Sequence, residues 1–278
     1  MLLDSIRNQH FHDLEVLVVD NGSIENPHDF LEQHYPEVHF IRSEKNLGFA
    51  GGNNLALPQA RGEFFFFVNN DAELTPDCIS ILVQRCKNNP KIGLLSPLIC
   101  YSPMEKWTQD KIQYAGMTRV HPLTGRNRTI GQGEWNAGQF SKAHPVAYAH
   151  GAAMMAPRAV LEMVGPMDEQ FFLYYEELDW AEKIKKAGWE VWIEPLAIVY
   201  HAESLTMNPL APIKTFYLNR NRIWFMERHS NPLQRLFFYT FLWLAVVPKN
   251  TLLFLLRGEF GQLRAFWSAI LGKPWPIS

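Results

Sequence analysis

The amino-acid sequence predicts an α/β fold: a mostly parallel sheet with helices on both faces, followed by a helical C-terminal segment. Short β-type runs alternate with helical periodicity through the first third of the chain, the pattern that gives parallel strands joined by crossover helices. The run Phe64-Phe65-Phe66-Phe67-Val68 is apolar without alternation, as in a strand buried on both faces. Two strands end abruptly in polar residues, Asp20-Asn21-Gly22-Ser23 and Asn69-Asn70-Asp71. Open α/β sheets collect ligands beyond such carboxyl ends.

Taken in order, Leu2, Leu3 and Ile6 share one face of an opening helix. A strand from about Glu15 to Val19 follows, broken by the turn chemistry of Asp20 to Ser23. Residues 27–35 read as a helix and 38–43 as a second short strand. Asn46 to Asn53 form a glycine-rich turn leading into a helix near Asn53, and the phenylalanine run is the third strand. In the next helix Thr75 can cap, Pro76 takes the first position, and Ile79, Leu82, Val83 and Cys86 line one face. Between about 101 and 145 the pattern weakens into Gly, Thr, Arg and aromatics, which suggests long loops over one face.

Apolar residues make up 47% of the 278 and charged residues 19%, enough for a substantial core and against disorder. The net charge of −2 gives no argument for a nucleic-acid partner. Cys78, Cys86 and Cys100 contain no CxxC pair, which argues against a disulfide framework or zinc site and for a reducing compartment. From Lys214 onward 9 Lys/Arg stand against 2 Glu. This basic stretch holds the apolar run Leu236 to Val247, interrupted by Pro248-Lys249-Asn250, then Leu252 to Leu256. Arg235, Arg257, Arg264 and Lys273, with Trp243, Trp267 and Trp275, make a membrane-interfacial anchor the better reading than a span.

Several residue sets can carry chemistry. Asp20, at a strand tip, can accept hydrogen bonds from a base or ribose. Three glycines within residues 46 to 54 precede a helix, where backbone N–H groups can approach an anion. The pattern is neither GxGxxG nor a P-loop. Glu176, Glu177 and Asp179 open a helix straight after the aromatic run Phe171 to Tyr175. Beside apolar rings a carboxylate is partly desolvated, which raises its pKa and suits a general base. His201 ends a strand and, with Asp71, can form an Asp/His site for a divalent ion attached to a diphosphate.

The ordered set Val18 to Ser23, Asn46 to Asn53, Asn69-Asn70-Asp71, His150 to Met154, Glu176-Glu177-x-Asp179 and His201 resembles the family 2 inverting glycosyltransferases, particularly their rhamnosyltransferase-like branch. The resemblance spans about residues 1 to 205, leaving 206–278 as the basic, aromatic helical tail. It implies a GT-A (Rossmann-like) fold that binds a nucleotide-diphosphate sugar. Asp20 would contact the base, with Asn46, Gly48, Asn53 and Asn69 also on the donor side. Asp71 matches the last position of the family's DxD-type motif and would hold Mg²⁺ or Mn²⁺, with His201 completing the shell. Gly151, Ala152 and the residues up to Met154 would line the acceptor side. The catalytic acids fall on Glu176-Glu177, with Glu177 as general base where relatives usually carry Asp, and Asp179 in reserve. The acceptor would be a glycan or lipid-linked hydroxyl in cell-surface polysaccharide synthesis, at the cytoplasmic face of the membrane with peripheral contact.

Two alternatives remain. A sugar-nucleotide-synthesising transferase would carry a basic, glycine-rich triphosphate loop near its N-terminus. A non-catalytic nucleotide-sugar or glycan binder would share the donor residues without turnover. Members of the family usually begin with a strand, whereas this chain opens on a helix. The expectation is therefore an N-terminally shortened version of a protein about 10–20 residues longer, the length of one strand and its turn.

Overall fold

The computed structural model describes residues 1–102, 111–202 and 212–274. Helix α1 (Leu2–Arg7) leads to β1 (Leu17–Asn21), α2 (His28–His34), β2 (His39–Ser43) and α3 (Gly48–Ala56). Then come β3 (Phe64–Val68), β4 (Ala72–Leu74), α4 (Cys78–Asn88), β5 (Ile92–Tyr101), β6 (Ile112–Tyr114) and β7 (His144–Pro145). β8 (Ala153–Pro157), α5 (Arg158–Val164), α6 (Glu176–Lys186) and β9 (Glu190–His201) complete the sheet-bearing part. α7 (Pro212–His229), α8 (Pro232–Phe241), α9 (Val247–Leu256) and α10 (Phe260–Ile270) follow.

The sheet is mixed, not mostly parallel. Its order is β3-β8-β5-β9-β4, with β6 on β5 and β7 on β9. Only β5 and β9 pair in parallel there, while β8 lies antiparallel to both β3 and β5. The β8 run is apolar on both faces, and such a run carries no mark of its direction. β3 reads as expected in one respect: it serves two cores. Phe65 and Phe67 pack with Trp180 and Phe171 on one side, and Phe64 and Phe66 with Leu74 and Met155 on the other. All three cysteines are buried, and burial pushes the Cys78 and Cys86 thiols up to about 12, so both act as inert core.

β1 and β2 form a separate two-stranded parallel sheet. Among the described residues β1 pairs only with β2, and β3 only with β8. A slot of about 650 Å³ is lined by residues of both β1 and β3, among them Val18, Val19, Asp20, Phe64, Phe66, Val68 and, just past β3, Asn69. Glu15 Oε1 accepts from the Arg61 and Gly62 amides at 2.5 and 3.0 Å, so both strands start from one point.

Two local expectations change. α4 starts at Cys78 because the Thr75 hydroxyl donates to the Ile198 carbonyl (3.0 Å) and so does not cap the helix. Pro248 does not break the C-terminal run: Pro232–Leu256 is one continuous 25-residue helix. A π-helical stretch, Leu242–Val246, precedes the proline and absorbs its missing donor. By length and composition that helix could cross a membrane, and only 11% of its apolar window is buried. Trp275 lies outside the described residues.

Candidate active site

Pairing of β4 with β9 sets Ala72 opposite His201 and thereby brings Asp71 to the histidine. Asp71 Oδ1 lies 3.1 Å from His201 Nε2, and the Asn69 amide nitrogen 3.2 Å from the same atom. His201 Nδ1 sits 2.9 Å from Gln113 Oε1, which can only accept. In the neutral ring Nδ1 therefore carries the hydrogen, and the Nε2 lone pair faces the Asp71 carboxylate. Two lone-pair donors 3.1 Å apart match neighbouring vertices of an octahedral ion, about 3.0 Å apart for bonds near 2.1 Å. That spacing is compatible with a divalent cation held between the two. Another group of potential ligands, His28, Asp29 and Glu32, lies exposed on α2.

Asp20 is buried at the tip of β1, with Oδ1 accepting from the Ser23 amide (2.9 Å) and Oδ2 3.2 Å from Arg42 Nη1. Burial pushes its pKa up, but the Ser23 hydrogen bonds and the Arg42 charge prevail and hold it below the usual range. Arg42 had no signal of its own in the sequence. It became readable only once the β1–β2 register set Asp20 opposite it.

The glycine-rich segment differs from expectation. α3 begins at Gly48, so Gly51 and Gly52 lie inside the helix, and the glycines are needed for close protein packing. A Cβ on Gly48 would overlap the Phe172 carbonyl oxygen, and Gly48 has φ +76°. One on Gly52 would lie 2.9 Å from the Asn21 amide nitrogen. Asn21 binds the Leu47 amide (2.9 Å) and the Gly48 carbonyl (2.9 Å), while Asn46 Oδ1 accepts from the Gly48 amide (2.8 Å). Asn53 donates to the Phe49 carbonyl (2.8 Å) within its own helix. These contacts join the first two motifs.

The same helix start reaches the acids. The Phe49 amide donates to the Phe172 carbonyl at 2.6 Å, and Phe172, Tyr174 and Tyr175 all have φ between 63° and 72°. Left-handed backbone in aromatic residues costs on the order of 1 kcal/mol each, so three in four positions mark a held segment. Glu176 and Glu177 follow as the first residues of α6. Burial, reinforced by the Glu177 charge, raises Glu176 well above the carboxylate range. Burial raises Glu177 to about 7, opposed in part by backbone N–H donors at the helix start. Glu176 is buried, whereas Glu177 keeps partial exposure, with its Oε2 enclosed.

Asp179, the reserve acid, is fully buried one turn further on. It forms ion pairs with Lys183 (2.7 Å) and His229 (2.7 Å), and despite burial these partners hold its pKa below the usual range. An acid so engaged ties α6 to α7 and is out of reach of an acceptor. Gly151 packs beneath the Phe49 ring, and the Ala152 carbonyl accepts from the Asn69 amide (3.0 Å), so the turn before β8 bridges α3 and the tip of β3. His150, half-buried, accepts from the Ala152 amide (3.1 Å), and desolvation pushes it down to about 4, which keeps the ring neutral. Contacts therefore link Asn21, next to Asp20, with Gly48 and the Phe172 loop before Glu177, and join Gly151 and Asn69 to the Asp71–His201 pair.

Residues 2–165 match the model of glycosyl transferase family 2. This chain belongs to that family. The N-acetylglucosaminyl-diphospho-decaprenol L-rhamnosyltransferase of Mycobacterium tuberculosis is 25% identical over 240 residues, 78% of this chain and 76% of its own length. The low-salt glycan biosynthesis hexosyltransferase of Haloferax volcanii is 26% identical over 180 residues, 62% of this chain and 53% of its own length. GalNAc-T7, solved with UDP, GalNAc and Mn²⁺, superimposes with a TM-score of 0.60 at 13% identity, over 88% of this chain and 53% of that one. The mannosyltransferase PcManGT of Pyrobaculum calidifontis, solved with GDP-Man and Mn²⁺, gives 0.57 at 18% identity, over 97% and 69%. The fold is thus the GT-A-like α/β fold.

Proposed function

We propose that this chain transfers a sugar from a nucleotide-diphosphate donor to a hydroxyl of a glycan or lipid-linked acceptor, with inversion at the anomeric carbon. The observation that carries the reading is the run of contacts from Asn21, next to Asp20, through Gly48 and Phe49 to the loop before Glu177, together with the Asp71–His201 pair. On this reading Asp20 receives the base and Asp71 with His201 would hold the metal. The chemistry a divalent cation supplies when bound is neutralisation of the departing diphosphate. Glu177 takes the proton of the acceptor hydroxyl as its oxygen attacks the anomeric carbon and the bond to the diphosphate breaks. An alcohol cannot ionise unaided near neutral pH, and a carboxylate raised to about 7 is a matched base. The rhamnosyltransferase relative's name describes a lipid-linked diphosphate acceptor, which supports a lipid-linked acceptor and cell-envelope polysaccharide synthesis here.

The donor half is tested by thermal shift with uridine and deoxythymidine diphosphates. Stabilisation should require Mn²⁺ or Mg²⁺ and vanish in Asp71→Ala. Equal stabilisation in that variant would remove Asp71 from the metal site. For a non-catalytic binder Glu177→Gln would change nothing, since neither protein would turn over.

We also infer that the slot between β1 and β3 takes a further extended strand. A five-residue strand about 3.3 Å per residue long, 4.8 Å wide and 10 Å deep occupies roughly 800 Å³, the scale of the slot. Its backbone would pair with strand edges that are open among the described residues. A chain carrying an apolar, β-branched N-terminal extension should melt higher and aggregate less than the 278-residue chain, and identical behaviour would refute the inference. The exposed residues Leu236, Phe237, Trp243, Leu244, Leu252 and Leu256, with Lys249 and Arg257 beside them, support peripheral contact with an anionic membrane.

A further inference from the structure

Four carbonyls before the acidic pair, those of Gln170, Phe171, Leu173 and Tyr174, converge on α7. Asn221, with no solvent exposure, places Nδ2 2.9 Å from the Phe171 oxygen and 2.8 Å from those of Leu173 and Tyr174. Arg220 Nη2 donates to the Gln170 and Phe171 oxygens at 2.8 and 2.9 Å. Arg220 Nε donates to Asn221 Oδ1 (2.9 Å), which fixes the amide with its nitrogen toward the loop. The guanidinium is held in turn by the Trp224 ring, 4.1 Å from its centroid.

These donors meet the segment where the backbone is least able to hold itself. Phe172, Tyr174 and Tyr175 are left-handed and lack the freedom of glycine, and Tyr175 directly precedes Glu176. On the loop's other side the Phe172 oxygen accepts from the Phe49 amide, and Gly48 leaves room for it. The loop is thus gripped between α3, which carries the donor-side motif, and α7.

We propose that Asn221 and Arg220 are positioning residues: they hold the Phe171–Tyr175 loop in its left-handed course and so set the placement and dry surroundings of Glu177. This rests on the reading of Glu177 as the base. Without the grip the loop relaxes, water reaches the carboxylate, and the base loses both its aim and its raised pKa.

Asn221→Asp keeps the side-chain size but turns donors into acceptors facing three carbonyls. Arg220→Lys, a milder change for use if the first fails to fold, keeps the charge and loses the two-carbonyl fork. In either variant kcat should fall about 100-fold, while KM for the donor and nucleoside-diphosphate affinity stay near wild type. The acid limb of the kcat–pH profile should move from about 7 toward the ordinary carboxylate range. Amide exchange should quicken from Phe172 to Leu178 and stay slow in β5. A lowered melting temperature with kcat and acid limb unchanged would overturn the proposal by making both residues merely structural. Should the wild-type chain transfer no sugar, the base assignment fails. The exchange measurement still decides the grip: faster exchange at Phe172 to Leu178 upholds it, and unchanged protection there overturns it.

Discussion

Replacing Glu177 by Gln should make the protein much more stable at pH 8 and only slightly more stable at pH 5. Burial raises this carboxyl from 4.5 to about 7. Between those values the folded chain holds a proton that the unfolded chain has released, so stability falls as pH rises through the window and stays depressed above it. At about 1.4 kcal/mol per pKa unit the deficit above pH 7 is on the order of 3 kcal/mol. Gln has the same shape, carries no charge, and its oxygen can still accept from the helix-start amides. Its removal of charge also relieves Glu176, whose own shift includes repulsion from Glu177, so the two effects share a sign. Urea unfolding of both proteins at pH 5 and pH 8 measures it. A gain of about 2–3 kcal/mol at pH 8 and less than about 1 kcal/mol at pH 5 is expected. A pH-independent difference, or a loss at pH 8, would refute the argument that this carboxylate is desolvated.

Other outcomes follow from the same geometry. Gly48→Ala should cost 2 kcal/mol or more, on the order expected when a Cβ meets backbone at positive φ. Nucleotide affinity should fall with it, and a variant as stable as wild type would return that glycine to a phosphate-binding role. With anionic liposomes the chain should co-sediment, less so at high salt, and weaken further on Lys249→Glu/Arg257→Glu. A chain that stays wholly in the supernatant would set aside the interfacial reading of α8 and α9.

What the sequence disclosed follows the physics of each element. The phenylalanine run, the polar strand tips and the acids after an aromatic wall are local signals, and they form a strand, strand ends and a helix start as read. Strand direction was not legible, because β8 is apolar on both faces and fits either way. The glycines of α3 were legible as special but not as to cause. Their neighbours, Phe172 and Asn21, come from distant parts of the chain. Pro248 read as a break because a π-helical turn one residue earlier leaves no compositional trace. Arg42, Gln113 and Asn221 were missed outright: each acts through a partner 22 or more positions away, on Asp20, His201 and the Phe171 loop.

The central claim is that Glu177 deprotonates an acceptor at a metal-assisted donor site. Nucleoside-diphosphate release from UDP- and deoxythymidine-diphosphate-linked sugars, with Mn²⁺ and a lipid-linked acceptor, tests it most directly when wild type and Glu177→Gln are compared. The wild-type chain should turn over, and the variant should lose about 10²–10⁴-fold in kcat while binding donor unchanged. Equal rates in the two proteins would contradict the account.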